Sequence, residues 1–438
     1  MTAPFPLPAG RLGGTLRVPG SKSVTHRALF AGACAAGESL LANPLDSSDT
    51  RALAAALRQL GAWVSFEGVS WRVRGPLRPR GDSEQELTID VGDAGTPARF
   101  LVPLLAATPG RYILDGSARM RERPMAPLFE AVRGLGGEVR SLAREGFLPA
   151  AIRGGTLRGG PVRIRGDVSS QFLSALMLAS PLVPSGIELA VEGPVSSAAY
   201  LALTRRVVEA FGGSPGAGYR PARFAVPGDD SAACFPIAGA LVSAGAVTLL
   251  GLSRLSEQPD AVFRAWAEEA GGRLSWSGEG GEAALAVDGR NLADARALRP
   301  LAVDVDAAPD AALPLASLLA FASGTSVLSG AGRLREKESD RLSAVLDLLS
   351  RAGSAARVES SGAGPRLVID GTAGTPRRAD FEAHRDHRVA MSAAILALAL
   401  PPGSTIDQPG AVAKSYPRFF EEWTRLVCGA VPRERSPG

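Results

Sequence analysis

Only three of the 48 basic residues in this 438-residue chain are lysine, and each lies in a short polar motif. Lys22 lies in PGSKS, Lys337 in REKESDR and Lys414 in AKSYP. Because arginine fills the other basic positions, the surviving lysines indicate places that need a compact, mobile ammonium instead of a planar guanidinium. We interpret the three lysines as parts of one anion-binding site.

Six turns of small or N-capping residues each precede a segment rich in Ala and Leu. They are PGSKS, GDAGTP, DVSSQ, GDDSAA, APDAA and RDHRVA. Each is predicted to open a helix, where free backbone N–H groups and the positive end of the helix dipole attract anions. Grouped together, such helix starts would suit a substrate that carries several phosphates or carboxylates.

Two carboxylates stand out near these turns as candidates for proton transfer. Asp310 lies in APDAA, and Glu338 lies with Lys337, Asp340 and Arg341 in what we predict to be one helix turn. The alternative for the second motif is a solvated surface cluster of ion pairs. For PGSKS, the alternative is an ordinary capped helix. A nucleotide-binding P-loop would require glycine at the positions of Leu16 and Ser21, and is excluded.

Composition excludes several other classes of function. The net charge is +4, aromatic residues make up 5% of the chain and no long basic run occurs, so we expect no nucleic-acid partner. The uncharged stretch 233–252 is interrupted by proline and glycine, so we predict a buried helix, a turn and a strand, and no membrane partner. Three widely spaced cysteines predict buried thiols in a reducing cytoplasm, with no metal site. No serine or cysteine has a histidine nearby in sequence to support a hydrolase triad.

A pattern of strand, turn, helix, glycine and apolar strand recurs six times along the chain. The glycines after the first helix of each repeat are Gly37, Gly110, Gly186, Gly245, Gly324 and Gly403, and we expect them to be left-handed C-caps. A second, amphipathic helix follows at 50–61, 125–136, 199–212 and 340–353, each closed by glycine. The spacing fits βαβ-type units in an α/β fold.

The two halves of the chain echo each other, since VPGSKS at 18–23 matches VPGDDS at 226–231. We therefore predict two lobes of three repeats each, joined by two crossings. Residues 1–20 and 230–427 would form one lobe and residues 21–229 the other, with 428–438 as a flexible tail. The helix N-termini would face a cleft between the lobes.

The motifs, in this order, resemble the 5-enolpyruvylshikimate-3-phosphate (EPSP) synthase family. The likeness extends from about residue 13 to 420 and rests on PGSKSVTHRAL, AGTPARF, RMRERPM, SSQFLSAL, PDAALP, LREKESDRL, DHRVAM and KSYPRFF. The resemblance implies a two-lobed inverse α/β fold of six repeats. It also implies transfer of the enolpyruvyl group of phosphoenolpyruvate to the 5-hydroxyl of shikimate 3-phosphate, by addition and then elimination of phosphate. No cofactor or metal is expected, and the enzyme is expected to be a monomer.

The resemblance also implies a role for each matching residue. Contacts to shikimate 3-phosphate would be Lys22, Ser23, Arg27, Ser169, Ser170, Gln171, Ser197, Tyr200, Asp310 and Lys337. Contacts to phosphoenolpyruvate would be Lys22, Gly95, Arg123, Gln171, Arg341, Arg388 and Lys414. Asp310 would take the proton from the 5-hydroxyl and Glu338 would protonate the methylene carbon, with Lys22 as a third candidate for proton transfer.

Two positions depart from the family pattern. Family members commonly have asparagine at the position of Asp93, and some have asparagine at the position of Arg333.

Two rival functions are compatible with the sequence. One rival is UDP-N-acetylglucosamine enolpyruvyl transferase, which has Lys-Asn where this chain has Lys22-Ser23 and commonly has a reactive cysteine in the first lobe. The other is an arginine-rich phosphate- or RNA-binding protein without catalysis. Glyphosate inhibits many family members; Gly95 leaves room for it, although Pro97 could alter that turn.

Overall fold

The structure is a computed structural model that describes residues 4–78, 85–166, 169–193, 198–280, 283–362 and 364–429. The chain divides into two compact units. Unit 1 comprises residues 1–19 and 228–438, and unit 2 comprises residues 20–227. Most of the predicted tail, residues 430–438, lies outside the described residues, whereas Cys428 ends the last helix.

Helices and groups of one to three strands follow one another along the described chain. The helices are α1 (Lys22–Cys34), α2 (Ser48–Gln59), α3 (Gly95–Ala107), α4 (Ala118–Arg121), α5 (Ala126–Gly134), α6 (Ser170–Ala179), α7 (Ala199–Ala210), α8 (Asp230–Val242), α9 (Phe263–Glu269), α10 (Ala312–Leu319), α11 (Arg341–Ala352), α12 (His387–Ala399) and α13 (Phe419–Cys428). The strands are β1 (Phe5–Pro6), β2 (Gly13–Arg17), β3 (Gly37–Ala42), β4 (Trp63–Glu67), β5 (Ser70–Gly75), β6 (Glu86–Asp90), β7 (Gly110–Asp115), β8 (Glu138–Ser141), β9 (Ala150–Gly154), β10 (Gly160–Arg165), β11 (Ile187–Glu192), β12 (Arg223–Ala225), β13 (Ala246–Leu250), β14 (Arg273–Ser277), β15 (Ala284–Asp288), β16 (Ala302–Asp304), β17 (Thr325–Ser329), β18 (Ala355–Ser361), β19 (Gly364–Asp370), β20 (Asp380–Phe381) and β21 (Thr405–Ile406).

The repeats are visible in the sheets of each unit. Unit 2 has the four-stranded sheets β12-β3-β5-β4 and β6-β7-β9-β8, together with the pair β10-β11. Unit 1 has β2-β13-β15-β14 and β16-β17-β19-β18, together with the smaller sheet β1-β21-β20. In every four-stranded sheet the first pair is parallel and the other two pairs are antiparallel. The predicted α/β class and the strands after each repeat's first helix are therefore confirmed.

The first helix of each repeat is buried on nearly every face. These helices are α1, α3, α6, α8, α10 and α12, and their Ala, Gly and Leu side chains fill the two cores. A helix that is apolar all round is stable only inside a core. In unit 1, α8, α10 and α12 pack against one another, and in unit 2 α3 packs against α6. The second helices, α2, α5, α7 and α11, bury only one face.

The left-handed C-caps predicted after the first helices are wrong for most of them, whereas the glycines that close the second helices have left-handed backbone. Gly61, Gly136, Gly212 and Gly353 follow the second helices with φ between +59° and +91°. Gly37, Gly110 and Gly403 have φ above +100° and lie at or before a strand. The helices α1, α3 and α12 end earlier, at cap residues with extended backbone. After α8 the left-handed conformation belongs to Ala244, at φ +49°, and not to Gly245.

The segment 233–252 forms the predicted buried helix, turn and strand, as α8 and β13. Among the described residues, no helix is long and apolar enough to cross a membrane. Cys34 and Cys234 are buried free thiols, as predicted. Cys428 is an exposed free thiol, so the prediction of a buried thiol is wrong at this position.

Candidate active site

In unit 1 the starts of α10 and α12 lie side by side and place Asp310 against Arg388. Nη2 of Arg388 lies 3.1 Å from Oδ2 of Asp310, and Nη1 donates to the Asp310 backbone carbonyl at 3.3 Å. The Asp386 side chain caps α12 by accepting from the backbone N–H of Arg388. The starts of two helices therefore position Arg388 and the carboxylate of Asp310, as the sequence motifs predicted.

Arg341 is the central cation of unit 1, and its side chain is 1% exposed. Its guanidinium bonds to three carboxylates: Asp310 at 2.7 Å, Glu338 at 2.8 Å and Asp386 at 2.7 Å. The alternative of a solvated surface cluster is therefore wrong for this arginine. It holds for the neighbouring pair of Arg335 with Asp340, which is exposed.

The predicted helix turn around Glu338 is also wrong in its local geometry. A 3-10 helix ends at Glu336, and α11 begins only at Arg341, with Asp340 as its N-cap. Lys337 and Glu338 therefore lie on a bend between two helices. Lys337 and Arg341 meet through their tertiary contacts with Asp310, whereas Glu338 pairs with Arg341 locally, three residues along the chain.

The two lysines of unit 1 approach the same pair of carboxylates. Nζ of Lys337 lies 3.5 Å from Oδ1 of Asp310, and Nζ of Lys414 lies 3.6 Å from Oε1 of Glu338. Burial lowers the pKa of Lys337, although the charge of Asp310 opposes this effect. Two of the three lysines therefore belong to one cluster, and a site shared with Lys22 stays a prediction.

The electrostatic environment of Asp310 keeps it ionised. Burial alone would raise its pKa, but Arg388, Lys337 and Arg341 together hold the pKa well below its usual range. The charge of Asp310 raises the pKa of Arg388 in turn, against the effect of burial. How strongly this carboxylate attracts a proton therefore depends on how far these cations are neutralised by other groups.

In unit 2, Lys22 lies on the first turn of α1 and pairs with a carboxylate of α2. Its Nζ is 3.2 Å from Oδ2 of Asp49, and both side chains are largely buried. Asp49 was not among the predicted site residues, because its sequence context, SSDT, reads only as a helix start. The Ser47 side chain and Thr50 do form a capping box there, which fixes the turn that carries Asp49.

His26 lies one turn after Lys22 on α1 and is fully buried. Burial lowers its pKa to about 4, and the charges of Lys22 and Arg27 add to the effect while Asp49 opposes it. The unfolded chain binds this proton near pH 6.5. The stability that neutral His26 contributes is therefore present above pH 6.5 and lost as the pH falls toward 4.

We predict that His26→Gln makes stability less dependent on pH. The wild type should lose about 3 kcal/mol more unfolding free energy than the variant between pH 7 and pH 4, because only the wild type must bury a titrating imidazole. Urea unfolding at several pH values measures this difference. Parallel curves for the two proteins would show that His26 does not contribute it.

Arg27, on the next turn of α1, is 2% exposed and held by side chains from two other helices. Its Nε donates to the hydroxyl of Thr204 at 2.8 Å, and Nη2 donates to the hydroxyl of Ser174 at 2.9 Å. The Tyr200 ring lies 5.7 Å from the guanidinium carbon. Burial lowers the pKa of Arg27 to about 10. Ser174 and Thr204 orient a predicted substrate contact, yet in sequence they are ordinary helix residues.

The start of α3 brings two more arginines together at Gly95. A Cβ at this position would clash with the guanidinium groups of Arg123 and Arg99, so only glycine lets them approach the backbone. Arg123 is 9% exposed, whereas Arg119 and Arg121 are exposed and paired with carboxylates.

The start of α6 lies beside the start of α3. Nε2 of Gln171 donates to the hydroxyl of Thr96 at 3.3 Å, and the Ser169 side chain caps α6. Ser170 is buried and Ser23 is half-buried. The remaining predicted contact, Ser197, lies outside the described residues. The starts of α3 and α6 thus bring Gly95, Arg123, Ser169 and Gln171 into one part of unit 2.

Asp93, which departs from the family pattern, is exposed and accepts a hydrogen bond from the hydroxyl of Ser117. We predict that Asp93→Asn lowers the KM for phosphoenolpyruvate by about twofold to fivefold, because it removes a negative charge close to Gly95 and Arg123. Binding of shikimate 3-phosphate should change little. Steady-state kinetics measures both constants, and an unchanged or higher KM for phosphoenolpyruvate would contradict this electrostatic role.

One surface group could offer metal ligands. Asp347, Glu382 and His384 each place a ligand atom within 4.8 Å of the others. Arg351 already pairs with Asp347 at 2.8 Å and with Glu382 at 3.5 Å. The two carboxylates are therefore neutralised by an arginine, and we assign no metal to them.

Comparison with known proteins identifies the family. Residues 7–423 match the model of the family EPSP synthase (3-phosphoshikimate 1-carboxyvinyltransferase). The chain belongs to the EPSP synthase family. A 3-phosphoshikimate 1-carboxyvinyltransferase of Shewanella woodyi is 34% identical over 95% of this chain and 97% of its own. One from Nitrosomonas europaea is 35% identical over the same shares of the two chains.

Solved structures give the same result for the fold. An EPSP synthase from Acinetobacter baumannii superposes with a TM-score of 0.77 and 25% identity, over 97% of each chain. The enolpyruvyl transferase NikO from Streptomyces tendae, at 18% identity and a TM-score of 0.76, shares the fold. The predicted inverse α/β fold is confirmed by these matches.

The family membership establishes the reaction. The protein transfers the enolpyruvyl group of phosphoenolpyruvate to shikimate 3-phosphate and releases phosphate, a step of the shikimate pathway. The named relatives decide against both rivals, the UDP-N-acetylglucosamine enolpyruvyl transferase and the protein without catalysis.

Proposed function

We propose that the residues predicted from the sequence carry this reaction in the roles that the resemblance implies. The observation that carries the proposal is the placement of Arg341, which bonds at once to Asp310 and Glu338. These two carboxylates are the proposed base and the proposed acid. One guanidinium therefore fixes their separation and couples their charges.

The charges around Asp310 suggest how it becomes a base. Without substrate, three cations hold its pKa low. We propose that the carboxylate and phosphate of phosphoenolpyruvate take up the charge of Arg341 and Arg388. These cations then lower the pKa of Asp310 less, so its affinity for a proton rises and it accepts the proton of the 5-hydroxyl.

The charged partners of Glu338 differ from those of Asp310. Its partners are Arg341 and Lys414, at 2.8 and 3.6 Å. We propose that it protonates the methylene carbon of the enolpyruvate, while Lys414 and Arg388 stabilise the departing phosphate. Two carboxyl groups with different partners can serve as base and acid within one site.

The unit 2 residues are proposed to hold the substrates. Arg27 would bind shikimate 3-phosphate, preorganised by Ser174 and Thr204. Arg123 and Lys22 would bind phosphoenolpyruvate. Groups that are already oriented before binding stabilise charge without reorganising, which is where much of an enzyme's advantage over water arises. The remaining proposed contacts are Ser23, Gly95, Ser169, Ser170, Gln171, Ser197, Tyr200 and Lys337.

The three lysines test the proposal. Lys22→Ala, Lys337→Ala and Lys414→Ala should each lower kcat/KM by about tenfold to a few hundredfold, because each removes a charge-assisted contact in a desolvated site. Arg335→Ala, which removes an exposed cation two residues from Lys337, is the matched control and should stay near wild type. Turnover close to wild type in any lysine variant would remove that lysine from the site.

We further propose that the enzyme works as a cytoplasmic monomer. The free thiols of Cys34 and Cys234, both buried, are compatible with a reducing compartment. Sedimentation at several protein concentrations should give a mass close to 45.1 kDa. A mass that doubles with concentration would contradict the monomer.

A further inference from the structure

Unit 1 contains a further buried carboxylate, Asp260, that has no assigned role. Asp260 is 2% exposed and belongs to a 3-10 helix, Pro259–Val262, that packs against α8. The hydroxyl of Ser231, on the first turn of α8, donates to its Oδ2. Its Oδ1 has no hydrogen-bond partner among the residues that the structure describes. A buried carboxylate with one oxygen unsatisfied is costly and requires an explanation.

Charged groups on neighbouring elements act on Asp260: Asp310 before α10, Arg388 on α12 and Asp229 at the start of α8. The helices that pack against its 3-10 helix, α8 and α9, also carry Asp230 and Arg264. Arg264 already pairs with Asp230, and the Asp229 side chain caps α8. Arg388 is thus the cation whose charge acts on Asp260 most directly, and it is also the cation bonded to Asp310.

We propose that Asp260 is a positioning residue for this reaction: its carboxyl competes with Asp310 for the charge of Arg388 and so sets how strongly Asp310 attracts a proton. The inference rests on the base role proposed above for Asp310. When Asp260 is neutral, Arg388 acts on Asp310 alone and Asp310 is a weak base. When Asp260 is ionised, the second negative charge raises the proton affinity of Asp310.

The electrostatics place this change near neutral pH. Burial and then the charge of Asp310 raise the pKa of Asp260 to about 7, while Arg388 and the hydroxyl of Ser231 oppose them. Asp260 therefore ionises as the pH rises through neutrality. A base that is stronger by one or two pKa units gains roughly threefold to tenfold in the rate of proton transfer.

The test compares the wild type with Asp260→Asn across pH, with both substrates saturating. The ratio of kcat for wild type to kcat for the variant should rise by about threefold to tenfold as the pH rises from 6. Its midpoint should lie above pH 7, because bound phosphoenolpyruvate takes up part of the charge of Arg388 that lowers the pKa of Asp260 in the free enzyme. Taking the ratio cancels ionisations that the two proteins share, such as that of the substrate phosphate. A ratio that is flat or falls with pH would overturn the proposal, because a purely structural role impairs the variant equally at every pH.

Ser231→Ala gives a second arm that does not depend on the folding of the first variant. Loss of the donated hydrogen bond disfavours ionised Asp260, so the kcat midpoint should move to higher pH while the transition persists. An unmoved midpoint would overturn the proposal. The activity of Asp310→Asn tests the base role separately. If that variant stays active, Asp310 is not the base, whatever the kcat ratio for Asp260→Asn shows.

Discussion

Replacing Asp310 by asparagine is expected to lower kcat by about two to four orders of magnitude. The amide keeps the shape of the carboxylate but cannot accept the proton of the 5-hydroxyl. It also leaves Arg388, Arg341 and Lys337 without a shared anion, from which they lie 3.1, 2.7 and 3.5 Å in the wild type. Steady-state assays with both substrates saturating measure the loss.

The control for this variant is Asp340→Asn, in the same part of unit 1. Asp340 caps α11 and pairs with the exposed Arg335, and asparagine also caps helices well. We expect the control to keep kcat near the wild-type value. An Asp310→Asn enzyme that turns over within tenfold of the wild type would show that another group is the base.

Arg341→Met is expected to destabilise the protein by about 3–5 kcal/mol and to abolish most activity. The methionine occupies similar space but leaves the carboxylates of Asp310, Glu338 and Asp386 without their common cation. Breaking a buried ion pair from one side strands uncompensated charge, which costs far more than the intact pair contributes. Unfolding by urea at pH 7 measures the change.

The pH dependence of this variant adds a second check. Burial raises the pKa of Asp386, and the charge of Arg341 is the main influence that lowers it in the wild type. Without the arginine, the freed carboxylates should bind protons at higher pH, so the deficit relative to wild type should shrink as the pH falls. Arg335→Met, which removes an exposed pair, should change stability by less than about 0.5 kcal/mol. Equal effects of the two variants would contradict the buried network.

Most of the fold could be predicted because its signals are local. Apolar periodicity located α2, α5, α7 and α11, and continuous Ala/Leu segments located the buried first helix of each repeat. The errors came from conformations that neighbours determine. Gly37 and Gly110 were assigned to helix ends, but their helices stop earlier, and these glycines start strands with φ above +100°.

A site residue could be predicted where a single sequence motif contains the residue and also determines the helix start that positions it. Arg388 and Asp310 each follow from a polar turn before an apolar helix. Asp49, Ser174 and Thr204 were missed because their roles exist only across helices that are distant in sequence. Asp260 was missed for the same reason, since its partner Ser231 is 29 residues away and Asp310 lies further along the chain.

Release of inorganic phosphate is the most direct test of enolpyruvyl transfer by this enzyme. Purified enzyme is mixed with phosphoenolpyruvate alone, with phosphoenolpyruvate and shikimate 3-phosphate, or with phosphoenolpyruvate and UDP-N-acetylglucosamine. We expect phosphate only in the second mixture, in equal amount to the enolpyruvyl product. Phosphate release that does not require shikimate 3-phosphate, or none in any mixture, would contradict the account.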